Sequence, residues 1–197
     1  MTCIVGIMDK GNVYIGGDSA GVAGLSISIR ADEKVFQNGP FIIGFTSSFR
    51  MGQLLRYRLA APKQTVNQTD MEYMVTDFVD ATRLCFMNGG YGTIADKADN
   101  EGGTFLVGYN SKLYHIGSDF QVGCPMGQYD AVGCGNDLAK GSLFSSVGKS
   151  PEARIELALE AASFHSGGVS PPFTLLRQMK PVKQASPAKK VRAKKKS

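Results

Sequence analysis

Histidine and cysteine are scarce in this chain of 197 residues. Its two histidines, His115 and His165, are isolated, and its four cysteines, Cys3, Cys85, Cys124 and Cys134, form no CxxC pair. Such spacing argues against a zinc site and a disulfide framework, so reduced thiols and no metal or other cofactor are expected. No apolar run approaches the roughly 20 residues that a transmembrane helix needs, which excludes a spanning helix. A secretory signal is missing too, because Asp9 and Lys10 interrupt the apolar start early. A cytoplasmic location is the expectation.

Acidic residues are absent from one segment. Residues 180–197 hold eight of the 22 Lys and Arg and no Asp or Glu, which leaves 14 against 17 and a net of −3 for residues 1–179. The overall charge of +5 therefore belongs to a tail. Its Pro/Ala/Lys composition cannot bury a core, so disorder is expected there. Residues 1–179 are expected to form one domain, for which 43% hydrophobic content is ample.

Within that domain, Cys3–Met8 and Val13–Gly16 read as short strands around the turn Asp9-Lys-Gly-Asn12. A similar hairpin recurs about a hundred residues on, with Thr104–Tyr109 and Lys112–Gly117 flanking Asn110-Ser111. The repetition predicts two sheets in quasi-symmetric relation. Phe41–Phe45 reads as a buried strand and Ser26–Ile29 as an alternating edge strand. Helices are predicted over Arg50–Leu59 and over Asp70–Met87, the second with Asp70 as N-cap and Met71, Met74, Val75, Phe78, Val79, Cys85 and Phe86 on one stripe. Two more are predicted at Asn136–Ser145 and at Pro151–His165. The latter has Ser150 as N-cap and Ile155, Leu157, Ala158, Leu159 and Ala162 as its apolar set. Residues 89–103 read as a loop. Two strand blocks, each followed by two helices, predict an α+β fold, a four-layer αββα sandwich.

Three residues carry the chemistry. Thr2 follows Met1, so removal of one residue leaves a hydroxyl and a free α-amine on the same threonine; Asp18 ends Val13-Tyr-Ile-Gly-Gly-Asp-Ser19, and Lys34 ends Ala31-Asp-Glu-Lys34. A hydroxyl nucleophile, an amine base, a cation and a carboxylate suffice for amide hydrolysis without histidine or metal. An α-amine, with a reference pKa near ~8, suits proton shuttling at neutral pH. Taken singly, Asp18 reads as a turn residue and Lys34 as a solvated charge; the joint spacing carries the catalytic reading.

These segments, with Val35 after Lys34, resemble the start of proteasome β-type subunits, especially those of the HslV kind, over roughly residues 2–176. The resemblance implies an N-terminal-nucleophile (Ntn) hydrolase fold and a threonine endopeptidase acting on polypeptides. It also implies a ring-forming homo-oligomer, served in some cases by an unfoldase. Ser47, in the turn after Phe41–Phe45, takes the place of a glycine whose N–H serves as oxyanion donor, and Arg50 and Met51 replace small residues. In Val132-Gly-Cys-Gly-Asn136, Cys134 stands where the family has a serine that supports the threonine amine, and a thiol is the weaker partner. Ser163-Phe-His-Ser166-Gly-Gly168 resembles an Asp-x-x-Ser-Gly-Gly segment, with Ser166 matching and Ser163 replacing the aspartate. The pattern and the basic tail also resemble proteasome-like proteins of actinobacterial phages; a phage-encoded chain would work in the host cytoplasm.

Other motifs fail. Gly148-Lys149-Ser150 lacks the earlier glycine of a phosphate-binding loop, and Gly133-Cys-Gly135 lacks the third glycine of a dinucleotide fingerprint. His165 reads as a helix-end residue, and Cys3 would become a nucleophile only if Thr2 were lost as well. The Lys-rich tail reads as a solubilising segment or as a salt-sensitive contact for nucleic acid or an acidic partner. Two rivals remain: a non-catalytic assembly protein on the same fold, and an Ntn amidase acting on a small amide.

Overall fold

The structure is a computed structural model and describes residues 1–91 and 102–179. The predicted tail, and most of the predicted loop at 89–103, lie outside the described residues.

Two antiparallel sheets form the centre. One has the order β10-β1-β2-β11, built from β1 (Cys3–Asp9), β2 (Asn12–Gly17), β10 (Tyr129–Gly133) and β11 (Thr174–Gln178). The other runs β5-β6-β7-β8-β9, from β5 (Val35–Asn38), β6 (Phe41–Phe45), β7 (Phe105–Tyr109), β8 (Lys112–Ile116) and β9 (Val122–Gly123). The two predicted hairpins are β1–β2 and β7–β8, one in each sheet. Their turns, Lys10-Gly11 and Asn110-Ser111, hold positive φ at both residues, which matches the right-handed twist of the strands they join.

Strand alternation splits the core into three layers of contact, which is the physical content of the αββα sandwich. Ile4, Val13, Ile15, Val35, Ile42, Leu106, Leu113 and Val132 meet between the sheets. Cys3, Val5, Ile7 and Tyr14 face outward onto α4 (Asn136–Ser145) and α5 (Pro151–His165), through Ala139, Leu143, Ile155, Ala158, Leu159 and Ala162. On the far side, Phe36, Phe41, Ile43, Phe45, Phe105 and Tyr109 pack on α1 (Phe49–Tyr57), α2 (Asp70–Tyr73) and α3 (Val79–Asn88). The inner faces interlock through glycine. A Cβ on Gly44 would sit 2.5 Å from Ile4 Cγ2, and one on Gly6 would sit 2.7 Å from Leu113 Cδ1. Each sheet therefore seats its branched side chains over bare backbone of the other.

Five expectations need correction. A π-helical turn, Met74–Phe78, joins α2 to α3. It spaces buried residues five apart (Tyr73 and Phe78, Met74 and Val79), so Met71 and Val75 turn out to solvent at 41% and 44% exposure instead of joining the stripe. The N-cap is Thr69, not Asp70: Thr69 Oγ1 accepts from Glu72 N at 3.2 Å while Glu72 Oε2 accepts from Thr69 N at 2.7 Å. Leu157 lies off the inward stripe of α5 and is 38% exposed. Finally, β4 (Ser26–Ile29) buries none of its residues; it pairs only with β3 (Ala20–Ala23), in a hairpin separate from both sheets. The helix predicted at Arg50–Leu59 starts one residue earlier, at Phe49, because Ser48 caps it by accepting from Arg50 N at 3.1 Å, and it ends two residues sooner, at Tyr57, where Arg58 leaves the helical conformation. α4 and α5 have the predicted bounds, with Ser150 as the cap of α5.

Candidate active site

Thr2 immediately precedes β1 and is 4% exposed. Its neighbour strand shapes the surroundings: β1 pairs with β10 so that Cys3 faces Gly133, where β10 ends. Gly133 adopts φ +100°, and a Cβ there would lie 2.1 Å from the Thr2 carbonyl oxygen, so only glycine lets the strands approach this closely. The next residues hold Thr2 in place. Thr2 N, here an amide, donates to Cys134 Sγ at 3.3 Å; Gly135 N and Cys134 Sγ reach Thr2 O at 3.4 and 3.5 Å. Thr2 Oγ1 donates to the Met1 carbonyl.

Ser166 completes this side. It is the C-cap of α5, its hydroxyl accepts from Gly168 N at 3.4 Å, and it lies 3.5 Å from Cys134 Sγ. Thr2, Cys134 and Ser166, far apart in the chain, form one line of contacts; Ser163 is half-buried on α5.

On the other side stands a buried ion pair. Asp18 follows β2, Lys34 precedes β5, and Lys34 Nζ donates to Asp18 Oδ1 at 2.8 Å with both side chains at 1% exposure or less. The carboxylate has three further donors: Cys3 N at 3.0 Å on Oδ1, and Ala20 N at 2.9 Å and Ser170 N at 3.3 Å on Oδ2. Four charge-assisted bonds occupy it fully. Burial pulls the Lys34 ammonium below its ordinary value, and the Asp18 charge and hydrogen bond oppose that shift without cancelling it. Because Asp18 also binds the N–H of Cys3, the residue after Thr2, the pair is tied directly to the threonine.

Ser47 sits in the turn that follows β6, at φ +67°. That left-handed conformation favours glycine, and this chain meets it with a serine. Ser47 Oγ accepts from Thr104 N at 3.2 Å, while among the described residues its own N–H has no acceptor. Thr46, buried beside it, lies 3.3 Å from where a Gly133 Cβ would be, which brings this turn next to the Thr2 carbonyl. Arg50 turns away to Gly89 O at 2.8 Å, and Met51 is in the outer core. A cavity of about 110 Å³ is walled by Phe36, Phe45, Phe49 and Arg56, and the Phe49 ring centroid lies 5.8 Å from Lys34 Nζ.

The structure thus gathers Thr2, Asp18, Lys34, Cys134 and Ser166, with Ser47 on the neighbouring turn. Sequence reasoning missed the contributions of Gly133, Gly135, Ala20 and Ser170, which act through backbone atoms. It also missed the environment of Cys3, whose thiol is fully buried and pushed up to about 12 by that burial and by the Asp18 charge. Among the described residues no three His, Cys, Asp or Glu side chains gather as a metal would require.

No family model matches the sequence, and no curated protein resembles it in sequence. Solved structures do match. BPH of Thiobacillus denitrificans in complex with epoxomicin aligns with a TM-score of 0.75 at 14% identity, over 92% of this chain and 100% of that one. A second structure of the same protein gives 0.74 at 17% identity, over 90% and 97%. Eukaryotic HslV from Trypanosoma brucei gives 0.63 at 16% identity, over 89% and 98%. The chain shares their fold along nearly its whole described length.

Proposed function

We propose that the chain is a threonine peptidase of the N-terminal-nucleophile type, activated when an aminopeptidase removes Met1. The observation that carries this reading is the buried Lys34–Asp18 pair, bonded to the backbone N–H next to Thr2. A saturated ion pair in that place has a catalytic use and little structural necessity, since apolar packing would be at least as stable.

With Met1 gone, Thr2 Oγ1 loses the carbonyl it is bonded to and the α-amine becomes the base. The hydroxyl oxygen bonds to the peptide carbonyl carbon while its proton passes to the amine. The oxyanion takes the free N–H of Ser47. The C–N bond then breaks, the departing amine leaves with the proton, and an ester remains on Thr2. Water adds to that ester with the α-amine again taking the proton, which frees the peptide acid and restores the hydroxyl. Lys34 lowers the basicity of amine and alkoxide through its field, Asp18 keeps it charged, and Cys134 and Ser166 orient the amine.

The reading extends to a homo-oligomeric ring enclosing the sites, fed by an unfoldase, in the cytoplasm, with residues 1–179 as the folded unit and the basic tail as a weak contact for nucleic acid or an acidic partner. A non-catalytic assembly protein is the second reading, favoured by the thiol of Cys134 and by serine at the Ser47 turn. An amidase for small amides would need no closed assembly.

Intact mass decides first whether Met1 is absent. Epoxomicin, an epoxyketone, should then add once, at Thr2, and not to Thr2→Ala. Absence of an adduct on protein free of Met1 leaves the assembly reading. Loss of nucleic-acid affinity on deleting residues 180–197 tests the tail.

A further inference from the structure

β6 and β7 part just beyond the pair Phe45 and Phe105, and the turn that carries Ser47 leaves the sheet there. Ser48 N donates to Thr46 O at 2.8 Å, which closes a three-residue turn around Ser47 at φ +67°. A three-residue turn centred on a positive φ is rare and strained, and such a backbone persists only where its surroundings over-determine it. Ser47 is itself exposed, so burial does not hold it.

A staple to Thr104, the residue before β7, holds it instead. Thr46 N and Thr46 Oγ1 both donate to Thr104 O, at 3.0 and 2.8 Å, and Ser47 Oγ accepts from Thr104 N at 3.2 Å. The two hydroxyls lie 3.2 Å apart. Each has one proton to give, so the directions are fixed: that of Thr46 goes to Thr104 O, and that of Ser47 goes to Thr46 Oγ1. Thr104 N–H, Ser47 O–H and Thr46 O–H thus donate in one sense around a closed ring, and bonds chained in this way polarise one another. The anchor is Thr46, 5% exposed, whose Cγ2 lies 3.3 Å from where a Gly133 Cβ would be, beside the Thr2 carbonyl. With the Ser47 hydroxyl engaged in the ring, only the Ser47 N–H of the three turn amides has no acceptor among the described residues.

We propose that Thr46 is a positioning residue for the oxyanion donor: through the ring of hydroxyls it holds the strained turn that aims the Ser47 N–H. The inference rests on the threonine-peptidase reading and adds to it a side chain that never touches substrate. Glycine would adopt this φ without strain but would leave the turn free to swing. Here the ring fixes the direction.

The test is the rate of epoxomicin addition to full-length protein free of Met1, followed by intact mass over a range of inhibitor concentrations that separates the limiting rate from half-saturation. Thr46→Val keeps the shape and removes the hydroxyl; Thr46→Ser keeps the hydroxyl and removes the methyl. Thr46→Val should lower the limiting rate about ten- to a hundredfold, as for a donor misaimed but still present, and leave half-saturation unchanged. Thr46→Ser should stay near the wild-type rate. Ser47→Ala keeps the Cβ, breaks the same ring from its exposed side and should fall as far; it decides alone if Thr46→Val fails to fold. The double variant should fall no further than either single one, because both open one ring. Thr46→Val at the wild-type rate, or Thr46→Ser as slow as Thr46→Val, overturns the staple, makes Thr46 a packing residue and leaves the threonine reading intact. No adduct on the wild-type protein removes that reading, and the staple with it.

Discussion

Removing either member of the Lys34–Asp18 pair should cost stability, and the structure says which removal costs more. Breaking a buried ion pair from one side costs about 3–5 kcal/mol. In Lys34→Met the carboxylate keeps its three backbone donors, Cys3 N, Ala20 N and Ser170 N, so the loss should fall near ~3 kcal/mol, the low end. In Asp18→Ala the buried ammonium loses its acceptor and those three N–H groups lose theirs, each at about 1–3 kcal/mol if unsatisfied. That variant should lose ~5 kcal/mol or more. The double variant should lose clearly less than the sum, because the second change removes a charge the first had stranded. Equilibrium urea unfolding followed by far-UV circular dichroism reads all three. An Asp18→Ala loss no larger than that of Lys34→Met, or either below about 1 kcal/mol, would refute the account of the carboxylate as the hub.

Three further outcomes follow from the same site. Gly133→Ala forces a Cβ to within 2.1 Å of the Thr2 carbonyl at a positive φ, so epoxomicin labelling of the Met1-free protein should disappear, by intact mass. The lowered Lys34 value makes the native ammonium lose its proton before the unfolded one does at 10.5, so labelling should decline on the alkaline side before pH 10.5. Across that window the unfolded chain holds more protons, and urea stability should rise with pH while labelling falls. In native protein iodoacetamide should modify the exposed Cys134 and spare Cys3, whose thiol is buried and pushed up to about 12; peptide mapping that finds Cys3 alkylated before unfolding contradicts this.

Much of the fold was legible because its signals are local. Gly11 and Asn110 announce tight hairpins, because these residue types accept the positive φ the turns need, and Ser150-Pro151 announces the start of α5 by supplying its cap and first turn. β11 gave no such sign: Thr174–Gln178 has no fully buried face, and its strand character comes from pairing with β2. The π turn was hidden because five-residue spacing imitates a helical stripe over a short window. At the site, Thr2, Asp18 and Lys34 could be read from spacing. Ser170 N, Ala20 N and the close approach of Gly133 could not, because backbone atoms leave no mark in residue type.

The glycine-seated contact between the sheets has a mechanical consequence. Asp18 hangs from one sheet and Lys34 from the other, so their 2.8 Å separation is also a gauge of how far the sheets have slid. Ile4 lodged over Gly44 and Leu113 over Gly6 act as keys in slots that resist that shear. Stiffness of the whole slab, set well away from the reacting atoms, thereby becomes a condition for keeping the charge beside Thr2.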